Sequence, residues 1–183
     1  MQDLLKRYYN NNIQIHINVI NDILQECKRK PTKMLVFGLG NDSILWYNAT
    51  NKNTIFVEDD INYINFTNIP QDNIIKYNYS DITVSKSMNL TIGDIEKYKI
   101  PDKLIELSPF DIIIIDGPKG YKDNHPGRLL PIYWSKYYLS KPGTILYIDD
   151  SKRLLESNCI NRFLIANKVK YFHERDGCDK CIV

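Results

Sequence analysis

Ile13, Ile17, Ile20, Leu24 and Cys27 recur every three or four positions, a spacing that lines one face of an α-helix with apolar side chains. The pattern predicts an amphipathic helix over 12–29, ended by Pro31, whose stripe covers the body of a domain. Beyond it the period changes. Lys33–Phe37, Ile55–Glu58, Ile74–Tyr79, Ile112–Ile115 and Thr144–Ile148 are short β-branched runs with little polar alternation. Strands have this pattern when helices cover both faces of their sheet, which predicts a mostly parallel, doubly wound α/β fold. Helices fit between the strands at 42–50, 60–66, 127–140 and 152–166, and Pro142-Gly143 supplies the turn into the fifth strand. The stretch from Ser80 to Leu107 is patterned less clearly, with one short helix expected inside 93–107. Tyr171–Glu174 and Cys181–Val183 are expected to close the sheet as an antiparallel hairpin across Asp176-Gly177.

With 183 residues the chain has the size of one α/β domain, 1–183, in which residues 1–30 form an N-terminal cover. The formal net charge is +2, and Lys and Arg are scattered among nearly as many carboxylates, so no nucleic-acid partner is expected. Lys6 and Arg7 are not followed by a signal-peptide core, and no segment has the apolar length of a membrane span. A cytoplasmic protein without a membrane partner is the expectation. Cys27, Cys159, Cys178 and Cys181 read as thiols rather than a disulfide framework. Cys178 and Cys181, with His173 upstream, have the spacing of half a zinc site, but the second pair of ligands is missing.

The first strand runs into Gly38-Leu39-Gly40, and a helix follows at once. Glycine there removes the side chain that would keep backbone away from a ligand, and the helix start offers free amides to an anionic group. Tight turns of purely structural origin use the same glycines, so the neighbours decide. Glu58 ends the second strand, eighteen residues after Gly40, where an acid accepts hydrogen bonds from a ribose hydroxyl pair. A dinucleotide fingerprint requires Gly or Ala where Ser43 stands, and the chain has no room for a dehydrogenase's substrate domain. The expected cofactor is S-adenosyl-L-methionine, bound by Gly38, Gly40, Asn41, Asp42, Ser43, Glu58 and Asp116. Asn41, Asp42 and Ser43 equally suit a helix cap. Ser80 and Asp81, after the third strand, are candidates for the adenine edge.

Ligands of open α/β sheets sit outside the carboxyl ends of the strands. Asp116 follows the fourth strand, and Asp149 and Asp150 follow the fifth. Adjacent strands bring these three acids together, at a cost that a cation or a proton must offset. An oxygen-only set points to a hard divalent ion, Mg, Mn or Co, held by Asp116, Asp149 and Asp150. Alternatively Asp116 faces cofactor and substrate directly while Asp149 or Asp150 caps the next helix. Asp116, Asp150 and His125 are the catalytic candidates, the histidine as general base or as a merely exposed loop residue. Arg128 suits the carboxylate of a uronic acid, or a surface salt bridge. Tyr121 and Tyr133 fit stacking on a sugar ring, or burial in the core.

The acid arrangement is similar to that of metal-dependent catechol-type O-methyltransferases, with Asp150 in place of an amide. Val36-Phe37-Gly38-Leu39-Gly40-Asn41-Asp42-Ser43 with Trp46, Phe56-Val57-Glu58-Asp59, Asp116-Gly117-Pro118-Lys119-Gly120-Tyr121, Pro126-Gly127-Arg128 and Ile132-Tyr133 together resemble another family. It is the glucuronoxylan 4-O-methyltransferase family of polysaccharide-modifying proteins, matched over roughly residues 34–166. The resemblance implies a Rossmann-like class I methyltransferase fold and adenosylmethionine-dependent methylation of a glycan hydroxyl, typically that of glucuronic acid, with divalent-metal dependence. Three departures stand out: no N-terminal membrane anchor, Asn41 where the family often has His, and Asp149-Asp150 where it often has His-Asp. They leave open a metal-dependent O-methyltransferase of a small non-sugar acceptor, or a non-catalytic partner in polysaccharide synthesis.

Overall fold

The computed structural model, which describes residues 2–9, 12–79 and 81–183, places isoleucines 112–115 at the centre of a seven-stranded sheet. The strands are β1 (Met34–Phe37), β2 (Thr54–Glu58), β3 (Ile74–Lys76), β4 (Ile112–Ile115), β5 (Ile145–Asp149), β6 (Lys168–Phe172) and β7 (Cys178–Ile182). They lie in the order β3-β2-β1-β4-β5-β7-β6, with β1 to β5 parallel and β7 antiparallel to both its neighbours. The helices are α1 (Gln2–Tyr8), α2 (Ile17–Arg29), α3 (Ser43–Ala49), α4 (Ile61–Phe66), α5 (Val84–Ser87), α6 (Ile92–Ile95), α7 (Asp102–Leu107), α8 (Leu129–Trp134) and α9 (Leu154–Phe163). No helix among the described residues is long and apolar enough to cross a membrane.

Successive strand residues point to opposite faces, and here both faces are apolar. Met34, Val36, Ile112, Ile114 and Tyr147 pack in one cluster with Ile20, Ile23, Leu24, Leu45 and Trp46. Leu35, Phe37, Ile113, Ile115, Leu146 and Ile148 pack in the other with side chains of α7, α8 and α9. The doubly wound expectation is met, and the absence of polar alternation has this cause.

Several boundaries differ from the sequence reading. The N-terminal helix begins at Ile17, because His16 caps it by accepting the Asn18 amide on Nδ1, while Ile13 and Ile15 are buried ahead of it. The third strand stops at Lys76, since its neighbour β2 ends at Glu58, whose carbonyl accepts the Tyr77 amide at 3.0 Å as the last bond between them. The helix expected over 127–140 starts at Leu129, after Gly127 at φ +71°, and passes into a π-helical turn over Ser135–Leu139. Residues 93–107 hold α7 and most of α6 rather than one helix. The closing hairpin is longer than expected and its strands start earlier, at Lys168 and Cys178. Cys178 and Cys181 are three positions apart on β7 and therefore face opposite sides, one in each core cluster, so the half zinc site does not form.

A partly buried charge network ties α2 to the antiparallel edge. Asp22 accepts hydrogen bonds from Tyr147 Oη, Lys170 Nζ and Lys180 Nζ at 2.7, 2.8 and 2.7 Å. Burial raises the Asp22 pKa, but these three donors outweigh it and hold it near 2, against an ordinary 3.8. A carboxylate depressed in the folded state stabilises the fold above its unfolded pKa, and that contribution fades as pH falls through the folded value. Asp22→Asn is therefore expected to melt below the wild type at neutral pH. The gap should close between pH 3.8 and about 2, which thermal melts across that range would show.

Candidate active site

The carboxyl ends of β1, β2, β4 and β5 open onto a cleft of about 540 Å³. On its floor two glycine turns touch. Gly38 has φ +109°, and a Cβ added to Gly117 would stand 2.9 Å from Gly38 Cα, closer than real side chains approach backbone. The contact is fixed by Gly117 N–H donating to the Phe37 carbonyl at 2.6 Å and Gly38 N–H to that of Val57 at 2.8 Å.

On the β1–β2 side the cleft is lined by Gly38, Leu39, Gly40, Asn41, Asp42, Glu58 and Asp59. Glu58 is buried and clasps the Gly38–Gly40 turn to the end of β2. Its Oε2 accepts the Leu39 amide at 2.6 Å, and its Oε1 accepts those of Asp59 and Asp60 at 2.9 and 2.8 Å. Burial raises its pKa, opposed by the amides of Asp60 and Leu39. Ser43 is buried and accepts the Gly40 amide on Oγ at 2.9 Å, so its hydroxyl is engaged inside the turn rather than in the cleft. Asp42 stands at the N-cap of α3 without a capping bond from its side chain, and accepts Trp46 Nε1–H at 2.7 Å instead. Burial, then the charge of Asp116, push its pKa up to about 7 against that bond. Asn41 Nδ2 reaches the Asn12 carbonyl at 3.1 Å and ties the N-terminal segment to the turn.

On the β4–β5 side Ile115 pairs with Ile148, so Asp116 and Asp149 emerge side by side. Oxygens of Asp116, Asp149 and Asp150 lie within 4.8 Å of one another. The cation that offsets them is Arg128, whose side chain is only 3% exposed. Nη1 donates to the Asp149 carbonyl, and Nη2 to the Asp116 carbonyl. Nη2 also reaches the Asp150 carboxylate at 2.6 Å and that of Asp116 at 3.3 Å. Arg153 adds a second ion pair to Asp150 at 2.9 Å. Asp150 holds a left-handed φ of +55°, a region aspartate tolerates better than most residues. The balance is incomplete: burial and the neighbouring Asp116 raise the Asp149 pKa to about 8 in spite of Arg128.

Arg128 therefore corrects both sequence readings: it is neither a surface salt bridge nor a fork left free for a substrate carboxylate, because burial commits it to the protein's own acids. Tyr121 lines the cleft and is exposed. His125 does not line it; its ring packs edge-on against Tyr121, 4.2 Å between centroids, and burial followed by Lys122 and Lys119 lowers its pKa. Tyr133 lies in the core beside Phe163, its hydroxyl 3.1 Å from Glu96, away from the cleft. Asp81 is exposed and outside the cleft lining, and Ser80 lies outside the described residues. The sequence reading missed Asn12, Gln14 and His16 from the N-terminal cover, Arg153 from the start of α9, and Glu174, Arg175 and Asp176 from the hairpin turn, all of which line the cleft. No local motif marks them, since each arrives through a long-range contact such as that of Arg175 with the Gln14 carbonyl.

A profile of the family described as IRX15/IRX15L/GXM matches residues 15–97. Glucuronoxylan 4-O-methyltransferase 2 of Arabidopsis thaliana is 31% identical over 172 residues, which cover 82% of this chain and 58% of that protein. Glucuronoxylan 4-O-methyltransferase 1 of the same plant is 30% identical over 167 residues, covering 78% and 58%. The chain thus spans less than two thirds of the length of these relatives. Among solved structures, the O-methyltransferase TomG from Streptomyces achromogenes matches with a TM-score of 0.57 at 12% identity, over 99% of this chain and 86% of that one. That likeness gives the fold, which is the class I O-methyltransferase fold. In sequence, the chain is similar to the IRX15/IRX15L/GXM family over residues 15–97 and to these two relatives over about four fifths of its own length.

Proposed function

We propose that the protein is an S-adenosylmethionine-dependent O-methyltransferase acting on a sugar hydroxyl of a glycan. One observation carries the reading: a single cleft, of a size usual for small-ligand sites, joins the Gly38–Gly40 turn and Glu58 to the Asp116, Asp149 and Asp150 cluster. The sulfonium donor supplies an activated methyl group. The glycine turn would admit the donor close to the backbone, and Glu58 would accept from its ribose. Asp116 lines the cleft between its two halves, where it would face both the donor and the acceptor. A carboxylate of the cluster would take the acceptor's hydroxyl proton as the methyl group leaves the sulfonium for the oxygen, while Arg128 offsets the acids that stay ionised. Positioning of the two reactants supplies most of the remaining rate.

The three acids also fit a hard divalent cation, since they offer oxygen donors only and Arg128 leaves Asp149 uncompensated. An ion there would lower the cost of removing the hydroxyl proton. The names of the relatives support glucuronic acid as acceptor and its 4-hydroxyl as the methylated position. Arg175 gives the cleft an exposed cationic group suited to such an anion. The test is transfer of labelled methyl from adenosylmethionine to uronic-acid glycans, neutral glycans and catechols, after chelation and with Mg²⁺, Mn²⁺ or Co²⁺ restored. Methylation of uronic-acid glycans that collapses on chelation is expected. Activity confined to catechols would overturn the glycan reading, and full activity in excess chelator would remove the cation.

A further inference from the structure

Lys119 stands in the loop after β4 and Asp60 just beyond β2, yet Lys119 Nζ lies 2.9 Å from Asp60 Oδ2. In the sheet β1 runs between β2 and β4, so this ion pair spans the carboxyl end of β1, where the Gly38-Leu39-Gly40 turn lies. Lys119 lines both the main cleft and a second cavity of about 440 Å³, and the two share Leu39, Gly40, Asn41 and Tyr63. The pair thus bridges over the glycine turn where two parts of one groove meet. Both ends are anchored. Asp60 is the N-cap of α4, with Oδ1 accepting the Asn62 amide at 3.0 Å, and the Lys119 carbonyl accepts the Gly127 amide at 2.9 Å. The ammonium also sits 6.0 Å from the centroid of the Tyr63 ring. Lys119 raises no charge conflict there, since Asp60 and Asp59 are its acidic neighbours.

We propose that Lys119, through its bridge to Asp60, is a donor-retaining residue: the pair forms the roof of the subsite that takes a nucleoside-bearing sulfonium donor, and it must part for that ligand to enter or leave. The inference rests on the donor half of the function proposed above. Because β2, β1 and β4 are held by the sheet, opening falls to the Lys119 side chain and its loop, and release of the ligand is coupled to breaking one half-exposed ion pair. Salt weakens such a pair.

Two variants test this. Asp60→Asn discharges the bridge and keeps the α4 cap, because Asn caps as well as Asp. Lys119→Met removes the charge and keeps the aliphatic stem. Stopped-flow rates of S-adenosylhomocysteine release are compared at low and high salt. Each variant is expected to release it about fivefold faster at low salt, the scale of one exposed pair. The double variant should be no faster than either, and high salt should bring the wild type to their rate. Equal rates, or additive effects in the double variant, overturn the proposal. Amide exchange of the ligand-free chain gives an independent readout, with faster exchange expected at 38–41, 117 and 119–121 in both variants. If the wild type binds no S-adenosylhomocysteine, the donor reading falls and exchange alone decides: unchanged exchange overturns the roof, and faster exchange supports a closure over this cleft.

Discussion

Replacing Arg128 with methionine is expected to lower the melting temperature by roughly 6–20 °C. The range follows from about 3–5 kcal/mol for breaking a buried ion pair from one side, and about 2–4 °C per kcal/mol in a chain of this size. The side chain is 3% exposed and its Nη2 serves two carboxylates and a carbonyl. Methionine fills much of the volume, so packing is largely kept while Asp116, Asp149 and Asp150 lose their buried counter-charge. Because the Asp116 side chain remains 32% exposed, water absorbs part of the penalty and the lower half of the range applies. Arg128→Lys should recover little, since one ammonium cannot span the ends of β4 and β5 as the planar fork does. Adding Asp116→Asn to the methionine variant should restore part of the loss, because it removes a charge left without its arginine, whereas Asp150 keeps Arg153 at 2.9 Å. Calorimetric melts at neutral pH read all three variants. A shift under about 2 °C for Arg128→Met would mean that the acid cluster is solvated and not balanced by arginine.

This centre was partly legible in the sequence. That Asp116 and Asp149 would emerge together follows from two apolar strands and the rule that sites lie beyond their carboxyl ends, and β4 and β5 do pair. What balances those acids was not legible, because the sequence gives Arg128 as a residue type at a helix start and not as a side chain turned beneath two strand ends. The same limit applies to Tyr133. It lies more than a helical turn beyond Arg128, and the phase of α8 carries it into the core against Phe163.

The strands that were found early are those buried on both faces, where β-branched runs leave no ambiguity. Lys168 and Lys170 hid β6, whose first residues are exposed at the edge of the sheet. The N-terminal wall of the cleft was hidden for a different reason. Gln14 and His16 reach it only because the chain ahead of α2 is laid across the sheet end, held by Asn41 and Arg175. Contacts of that kind leave no periodicity to read.

Glu58→Gln is expected to weaken S-adenosylhomocysteine binding about 10- to 150-fold, although the side chains are nearly isosteric. The argument is one of lone pairs. A carboxylate offers about four acceptor sites, and three are taken by the amides of Leu39, Asp59 and Asp60. One remains for a ribose hydroxyl. Glutamine replaces one oxygen with an NH₂ group, which must then face either Leu39 N–H or the Asp59 and Asp60 pair, donor against donor. The glycine turn loses its clasp to β2 on one side, and the ribose loses a charged acceptor, a bond worth about 1.5–3 kcal/mol. Glu58→Asp keeps the charge but is a methylene shorter, and should fall between the two. Calorimetric titration measures the affinity, and a melt taken on the same samples separates a loosened turn from an unfolded one. Affinity within twofold of the wild type in a folded Glu58→Gln protein would assign the carboxylate to the turn alone and move the ribose elsewhere in the cleft.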